Sequence, residues 1–285
     1  MHGCGVIIWR CPVQIMARFK YMIRNYVAAI LIAVGVLFLN ACGSQSTPAP
    51  LNASGNWSFE ASPAGGTGIA QGFEFGGGIV NANGRLTGIF HMITDCYQNP
   101  MGMDIPYTGT IDSAGDFRLQ TSSIQGQVLT LTGMVSADAS TLSGGMLTIV
   151  GGCGDGTKDT VTGMHVPSIA GTWNGQLTLG QTTLKITEQL TQSTEFNADG
   201  NQTLGGTITV QGSPCFTKGY IYAPTAAIVS GNQAGGLISM DDGSALSFDA
   251  VIQVPSATNQ FGLATQITVF GGNCSGQSGA VTLYQ

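Results

Sequence analysis

Val128-Leu129-Thr130-Leu131-Thr132 alternates an apolar residue with a hydroxyl-bearing one. That period of two places successive side chains on opposite faces of a pleated strand, one face to bury and one to wet. The same pattern returns in Met146-Leu-Thr-Ile-Val150, Thr207-Ile-Thr-Val210 and Gln266-Ile-Thr-Val-Phe270. Between such runs lie turn signals: Asn83-Gly84, Ser113-Ala-Gly115, Ala198-Asp-Gly200, Asp241-Asp-Gly243 and Ser256-Ala-Thr-Asn259. Their spacing predicts an all-β, antiparallel fold built of many short strands. The window Leu184 to Leu190 is the one place where a helix competes, and it reads equally well as a strand.

The runs belong to an internal duplication. Gly55-Asn56-Trp57 returns as Gly171-Thr172-Trp173, and Asn81-Ala-Asn-Gly84 as Asn197-Ala-Asp-Gly200, both 116 residues later. Leu86-Thr-Gly88 matches Leu204-Gly-Gly206, and Cys96 matches Cys215. Ile149-Val-Gly-Gly-Cys153 matches Thr268-Val-Phe-Gly-Gly-Asn-Cys274, read with one inserted residue. Five landmarks in one order define two tandem units of about 115 residues, 54–166 and 167–285, each of seven to nine strands. Four cysteines allow three pairings, and their repeated placement predicts one staple per unit, Cys96–Cys153 and Cys215–Cys274. Each would close a loop of nearly sixty residues, a stabilisation of about 4 kcal/mol by chain entropy.

Gly-x-Trp opening an eight-stranded meander of this size resembles the first strand of lipocalin-like and avidin-like barrels, carried here by Gly55-Asn56-Trp57 and Gly171-Thr172-Trp173. The resemblance implies two tandem up-and-down barrels, a sandwich being the alternative. It makes Trp57 and Trp173 candidate barrel-closing or ligand-contacting aromatics. Lipocalins usually pack a basic residue near the last strand on that tryptophan. Neither Val161-Thr-Gly-Met164 nor Val281-Thr-Leu-Tyr284 offers one, and no polar set matches the avidin biotin site. The architecture carries over and the ligand does not.

The amino-terminal segment sets location. Arg18, Lys20 and Arg24 precede the apolar run Val27-Ala-Ala-Ile-Leu-Ile-Ala-Val-Gly-Val-Leu-Phe38, which leads into Leu39-Asn40-Ala41-Cys42. The run from Tyr26 to Leu39 is short for a bilayer span, which needs about 20 apolar residues, and suits a signal peptide. The order resembles the lipobox of bacterial lipoproteins, which implies removal of 1–41 and acylation of Cys42. Plain secretion after cleavage at Ala41, or a short anchor, are the alternatives. Residues 1–15 add nothing to the signal, and translation from Met16 or Met22 would give an ordinary leader. Residues 42–53 read as a polar, Pro-containing tether. Gly43, in place of Asp, points by analogy with lipoprotein sorting to the outer membrane.

The exported part keeps Arg85, Arg118, Lys158, Lys185 and Lys218 against all fifteen carboxylates, a net charge of about −10. Scattered cations exclude a nucleic-acid surface. The expected partners are the membrane, through the lipid, and either an envelope protein or a small apolar ligand. No chemistry stands out. His91 lies in an apolar run and reads as structural; His165, at the junction of the units, reads as solvated. No Gly-x-Ser-x-Gly elbow occurs. Asp155-Gly-Thr-Lys-Asp159 and Asp241-Asp-Gly243 lack EF-hand spacing and read as turns, and the separated cysteines argue against zinc. Tyr97, Tyr107, Tyr220 and Tyr222 are candidates for a groove rim or a core. The sequence therefore predicts no cofactor and no metal, and a lipid-anchored structural or binding module rather than an enzyme, with ligand carriage inside the barrels as the alternative and a hydrolytic enzyme as the third reading.

Overall fold

The computed structural model describes residues 48–63, 73–92, 103–221, 227–255 and 260–285. The leader and Cys42 lie outside the described residues. Within Ala49–Gln285, a single compact unit, the chain forms two closed antiparallel barrels.

The first barrel is an eight-stranded meander: β1 Gly55–Pro63, β2 Phe73–Ala82, β3 Arg85–Met92, β4 Met103–Ile111, β5 Asp116–Thr121, β6 Val128–Val135, β7 Thr141–Val150 and β8 Lys158–His165. Each strand pairs with the next, and β8 returns to β1. The second is built from β9 Gly171–Leu179, β10 Thr182–Phe196, β11 Gln202–Gln211, β12 Lys218–Ile221, β13 Ala227–Ser230, β14 Gln233–Met240, β15 Ala245–Gln253, β16 Gly262–Phe270 and β17 Ser278–Tyr284. Here β12 and β13 share one wall position, each pairing with both β11 and β14. Closure runs through β17 and β9. The window 184–190 is strand, inside β10. Closing each sheet on itself removes the unpaired edges that would otherwise recruit another strand.

The alternation read from sequence decides what faces in. Leu129 and Leu131 of β6, Leu147 and Ile149 of β7, Ile208 and Val210 of β11, and Ile267 and Val269 of β16 are all buried, with their threonines turned outward. Asn83 (φ 55°) and Gly84 (φ 83°) form the two-residue turn between β2 and β3. Positive φ at both positions matches the right-handed twist of the flanking strands, which is why Asn-Gly serves there.

The disulfide Cys215–Cys274 is present, with 6.1 Å between Cα atoms. Cys153 is also disulfide-bonded, while its expected partner Cys96 lies outside the described residues. The loops holding Cys153 and Cys274 correct the reading of an inserted residue. Asp155 Oδ1 accepts from Gly151 N in one loop, and Ser275 Oγ from Gly271 N in the other. Gly156 N donates to Ile149 O, and Gly276 N to Val269 O. The two six-residue turns, 151–156 and 271–276, therefore superimpose without a gap. What differs is the cysteine, one position later in the second turn. Cys153 is exposed, whereas Cys274 takes the buried place of Gly154.

The tether is also less detached than its composition suggests. Leu51 packs on the first core and Ala53 is buried. Leu51 N donates to Asp112 O, and its carbonyl accepts from Asn81 Nδ2 at 2.6 Å. Residues 50–54 thus cross one end of the first barrel and close it.

The two barrels meet end to side. Two hairpin turns of the second barrel, at Gly200 and at Gly231, seat on the outside of β1 and β2. Asn56 is buried there and makes two bonds with one residue: its Nδ2 donates to Gly231 O at 2.7 Å, and its Oδ1 accepts from Gly231 N at 2.8 Å. Gly78 N donates to Gly200 O at 3.2 Å, and Asn232 Nδ2 to Glu74 Oε2 at 3.1 Å. The approach needs Gly76 and Gly78, since a Cβ at the first would strike the Gly231 backbone and at the second the Phe196 ring. Asn56→Ala would leave a buried N–H and C=O of Gly231 without partners, at about 1–3 kcal/mol each. We expect calorimetry of that variant to resolve two unfolding transitions where the parent shows one.

Candidate functional site

Both sequence-predicted tryptophans sit in the barrel interiors, Trp57 at 1% and Trp173 at 0% exposure. A buried indole N–H needs an acceptor, and each finds it four residues upstream. Trp57 Nε1 donates to Ala53 O at 3.0 Å and Trp173 Nε1 to Ile169 O at 2.8 Å. His165 corrects its expected solvation. It is half-buried and stands edge-on to Trp57, ring centroids 5.8 Å apart. Desolvation lowers its pKa. A basic residue does pack on this tryptophan, one position beyond the stretch 161–164. Gln285 occupies the matching place in the second barrel, against Gly171.

The first barrel is filled by aromatics. Trp57 stacks on Phe59, Phe59 on Phe75, and Phe90 on Tyr107 with centroids 4.1 Å apart. Tyr107 belongs to this core, its hydroxyl donating to Gly78 O at 2.7 Å and its pKa pushed well up by burial. The internal space beside Phe75, Phe90, Tyr107 and Leu131 amounts to about 10 Å³. That is about the size of a single water.

Strand registers map one interior onto the other. Phe59, Phe75, Phe90 and Tyr107 correspond to Gly175, Ile186, Ile208 and Ile221. Gly77, which faces Trp57, corresponds to Glu188, which faces Trp173. Glu188 is 7% exposed, its direct cross-strand neighbours are Trp173 and Ile208, and it makes no ion pair among the described residues. Desolvation raises its pKa to about 7. Asp159 is a second inward carboxyl, in β8 and 2% exposed. Its pKa is raised by desolvation, and its Oδ2 has no hydrogen-bond partner among the described residues.

The remaining sequence candidates are not brought together. His91 faces outward and pairs with the directly opposite Asp104, Nδ1 to Oδ1 at 3.0 Å, at the surface. Tyr220 is exposed in β12, and Tyr97 and Tyr222 lie outside the described residues. Asp155, Asp241 and Asp242 are turn acceptors. Asp241 takes both the N–H and hydroxyl of Thr217, which lowers its pKa. No cluster of three His, Cys, Asp or Glu side chains suited to a metal occurs among the described residues.

What sequence reasoning missed lies on the outer wall of the first barrel. Arg85 of β3 is directly opposite Thr110 of β4, and Thr110 is directly opposite Arg118 of β5. Both arginines are exposed, and both line a surface depression of about 440 Å³ with Thr87, Thr108, Thr110 and Gln120. A second depression of about 640 Å³ adjoins it, sharing Thr110 and Arg118. The signal was present in the turns Asn83-Gly84 and Ser113-Ala-Gly115, which set the register of three consecutive strands.

No family model matches the chain, and no curated protein matches it. Several solved structures resemble it weakly, two of them as follows. One is a protein of unknown function from the DUF3598 family of Nostoc punctiforme, 8% identical over 81% of this chain and 94% of that one, with a TM-score of 0.24. The other is kievitone hydratase from Nectria haematococca, 11% identical over 85% and 94%, also with a TM-score of 0.24.

The buried Glu188 carries a pH dependence of definite sign. Its folded pKa lies above the unfolded value of 4.5. Between the two values the native state holds the extra proton, so stability falls as pH rises from 4.5 to about 7 and is level beyond. The loss amounts to about 3 kcal/mol. Glu188→Gln should flatten that fall, as read by urea unfolding at pH 5 and pH 8.

Proposed function

We propose that this chain is a lipid-anchored protein of the cell envelope that acts as a binding or structural module through its outer surface. The observation that carries the reading is the contrast, among the described residues of the first barrel, between an internal space of about 10 Å³ and a depression of about 440 Å³ on the wall. A drug-sized ligand requires a pocket of about 300–1,000 Å³. The lipobox-like Leu39-Asn40-Ala41-Cys42 supports the anchor, and residues 50–54, bound across the barrel end, would bring that end toward the membrane. The absence of Asp after Cys42 supports an outer-membrane address.

Carriage of a small apolar ligand is the second reading, and its observation is in the second barrel. There Gly175, Ile186, Ile208 and Ile221 replace four aromatics, and Glu188 adds one polar group. Native mass spectrometry of protein extracted from membranes separates the readings: a bound lipophile would favour carriage, and its absence the surface module.

Mass spectrometry of the mature amino terminus tests the anchor. Cys42 should carry a diacylglyceryl thioether, and Cys42→Ser should release the protein from the membrane fraction. An unmodified Cys42, or an intact leader, would overturn the proposal.

A further inference from the structure

We infer that the outer wall of the first barrel, at Arg85 and Arg118, binds an acidic polysaccharide whose carboxylates seat on the two guanidinium groups. This deepens the binding-module reading and rests on it.

The two arginines are the only ones downstream of the leader. They project from the same face of the wall, separated across the sheet by Thr110 alone. Two interstrand steps place their backbones about 10 Å apart. Neither makes an ion pair or hydrogen bond among the described residues. With five basic residues against fifteen carboxylates in 42–285, a surface arginine without an acidic partner is unusual, and two that converge on one depression are more so. No carboxylate lines that depression. Asp112 and Asp116 line the adjoining depression together with Arg118, Asp116 lying two residues before Arg118 on the exposed face of β5. Asp112 Oδ1 is already occupied by the N–H groups of Ala114 and Asp116.

The surroundings narrow the ligand. The barrel is closed, so a peptide gains no main-chain hydrogen bonds by adding a strand. No aromatic side chain lines the 440 Å³ depression, so nucleic-acid bases have nothing to stack on. Threonine hydroxyls and the Gln120 amide both donate and accept, as the hydroxyls of a sugar ring require. Guanidinium groups recognise carboxylates in a bidentate manner. The depression shares Thr110 and Arg118 with its neighbour, and two adjoining depressions suit a polymer segment better than a compact molecule.

The test uses the full chain purified from membranes in detergent and fluorescently labelled oligogalacturonate, a carboxylated glycan. Its methyl-esterified form, duplex DNA and neutral dextran serve as comparisons. Binding should be confined to the carboxylated oligomer and weaken with added salt. The double variant Arg85→Gln/Arg118→Gln should lose about tenfold or more in affinity. Lys185→Gln/Lys218→Gln, with the same charge change on the second barrel, should retain it. Failure of the parent to bind, undiminished binding by the arginine variant, or equal binding of duplex DNA would each overturn the inference. Failure here would leave the Cys42 modification standing, and an unmodified Cys42 would leave this binding standing.

Discussion

The indole N–H of Trp57, donated to the Ala53 carbonyl, fixes how the chain enters the first barrel, and Trp173 repeats the bond with Ile169. A buried donor must be satisfied. Here the acceptor is a carbonyl of the incoming chain, which is drawn across the barrel end to reach it. That positions Leu51 and Ala53 as a floor in one unit, and Val166 and Ile169 in the other. The following strand is then held where the last strand can return to it. Closure, end-capping and the direction of entry follow from one hydrogen bond made twice.

Around this shared skeleton the interiors have diverged. The first is filled by stacked rings, and Gly88 leaves the room that the Tyr107 ring needs. The second has three isoleucines and Gly175 in place of those four rings and admits a carboxyl at Glu188. Its staple differs as well. Cys274 turns inward at the position of Gly154, whereas Cys153 stays at the surface. The duplication preserved strand registers and turns, which set the backbone, and left the core free to change.

Much of this was legible in the chain. Alternating Thr and apolar residues, Asn-Gly turns and matched cysteines carry strand, hairpin and staple, because those depend on local spacing. Glu188 was legible in principle, as an acid in the inward series Leu184, Ile186, Leu190 of β10. Other features depend on register or on contacts between distant segments. The convergence of Arg85 and Arg118 requires three strands in register. The placement of His165 on Trp57 requires the closing pair β1–β8. The burial of Asn56 depends on a hairpin 175 residues away, and nothing in Gly-Asn-Trp distinguishes it from Gly-Thr-Trp.

That last difference limits growth. The docking surface of the first barrel is Asn56 with Gly76 and Gly78; the matching residues of the second are Thr172, Thr187 and Gln189. These side chains fill the space where another hairpin would have to enter, and Thr172 cannot make the paired amide bonds. A third copy could not stack onto the second as the second stacks onto the first. The pair is a self-terminating array, with a socket on one unit and a plug on the other.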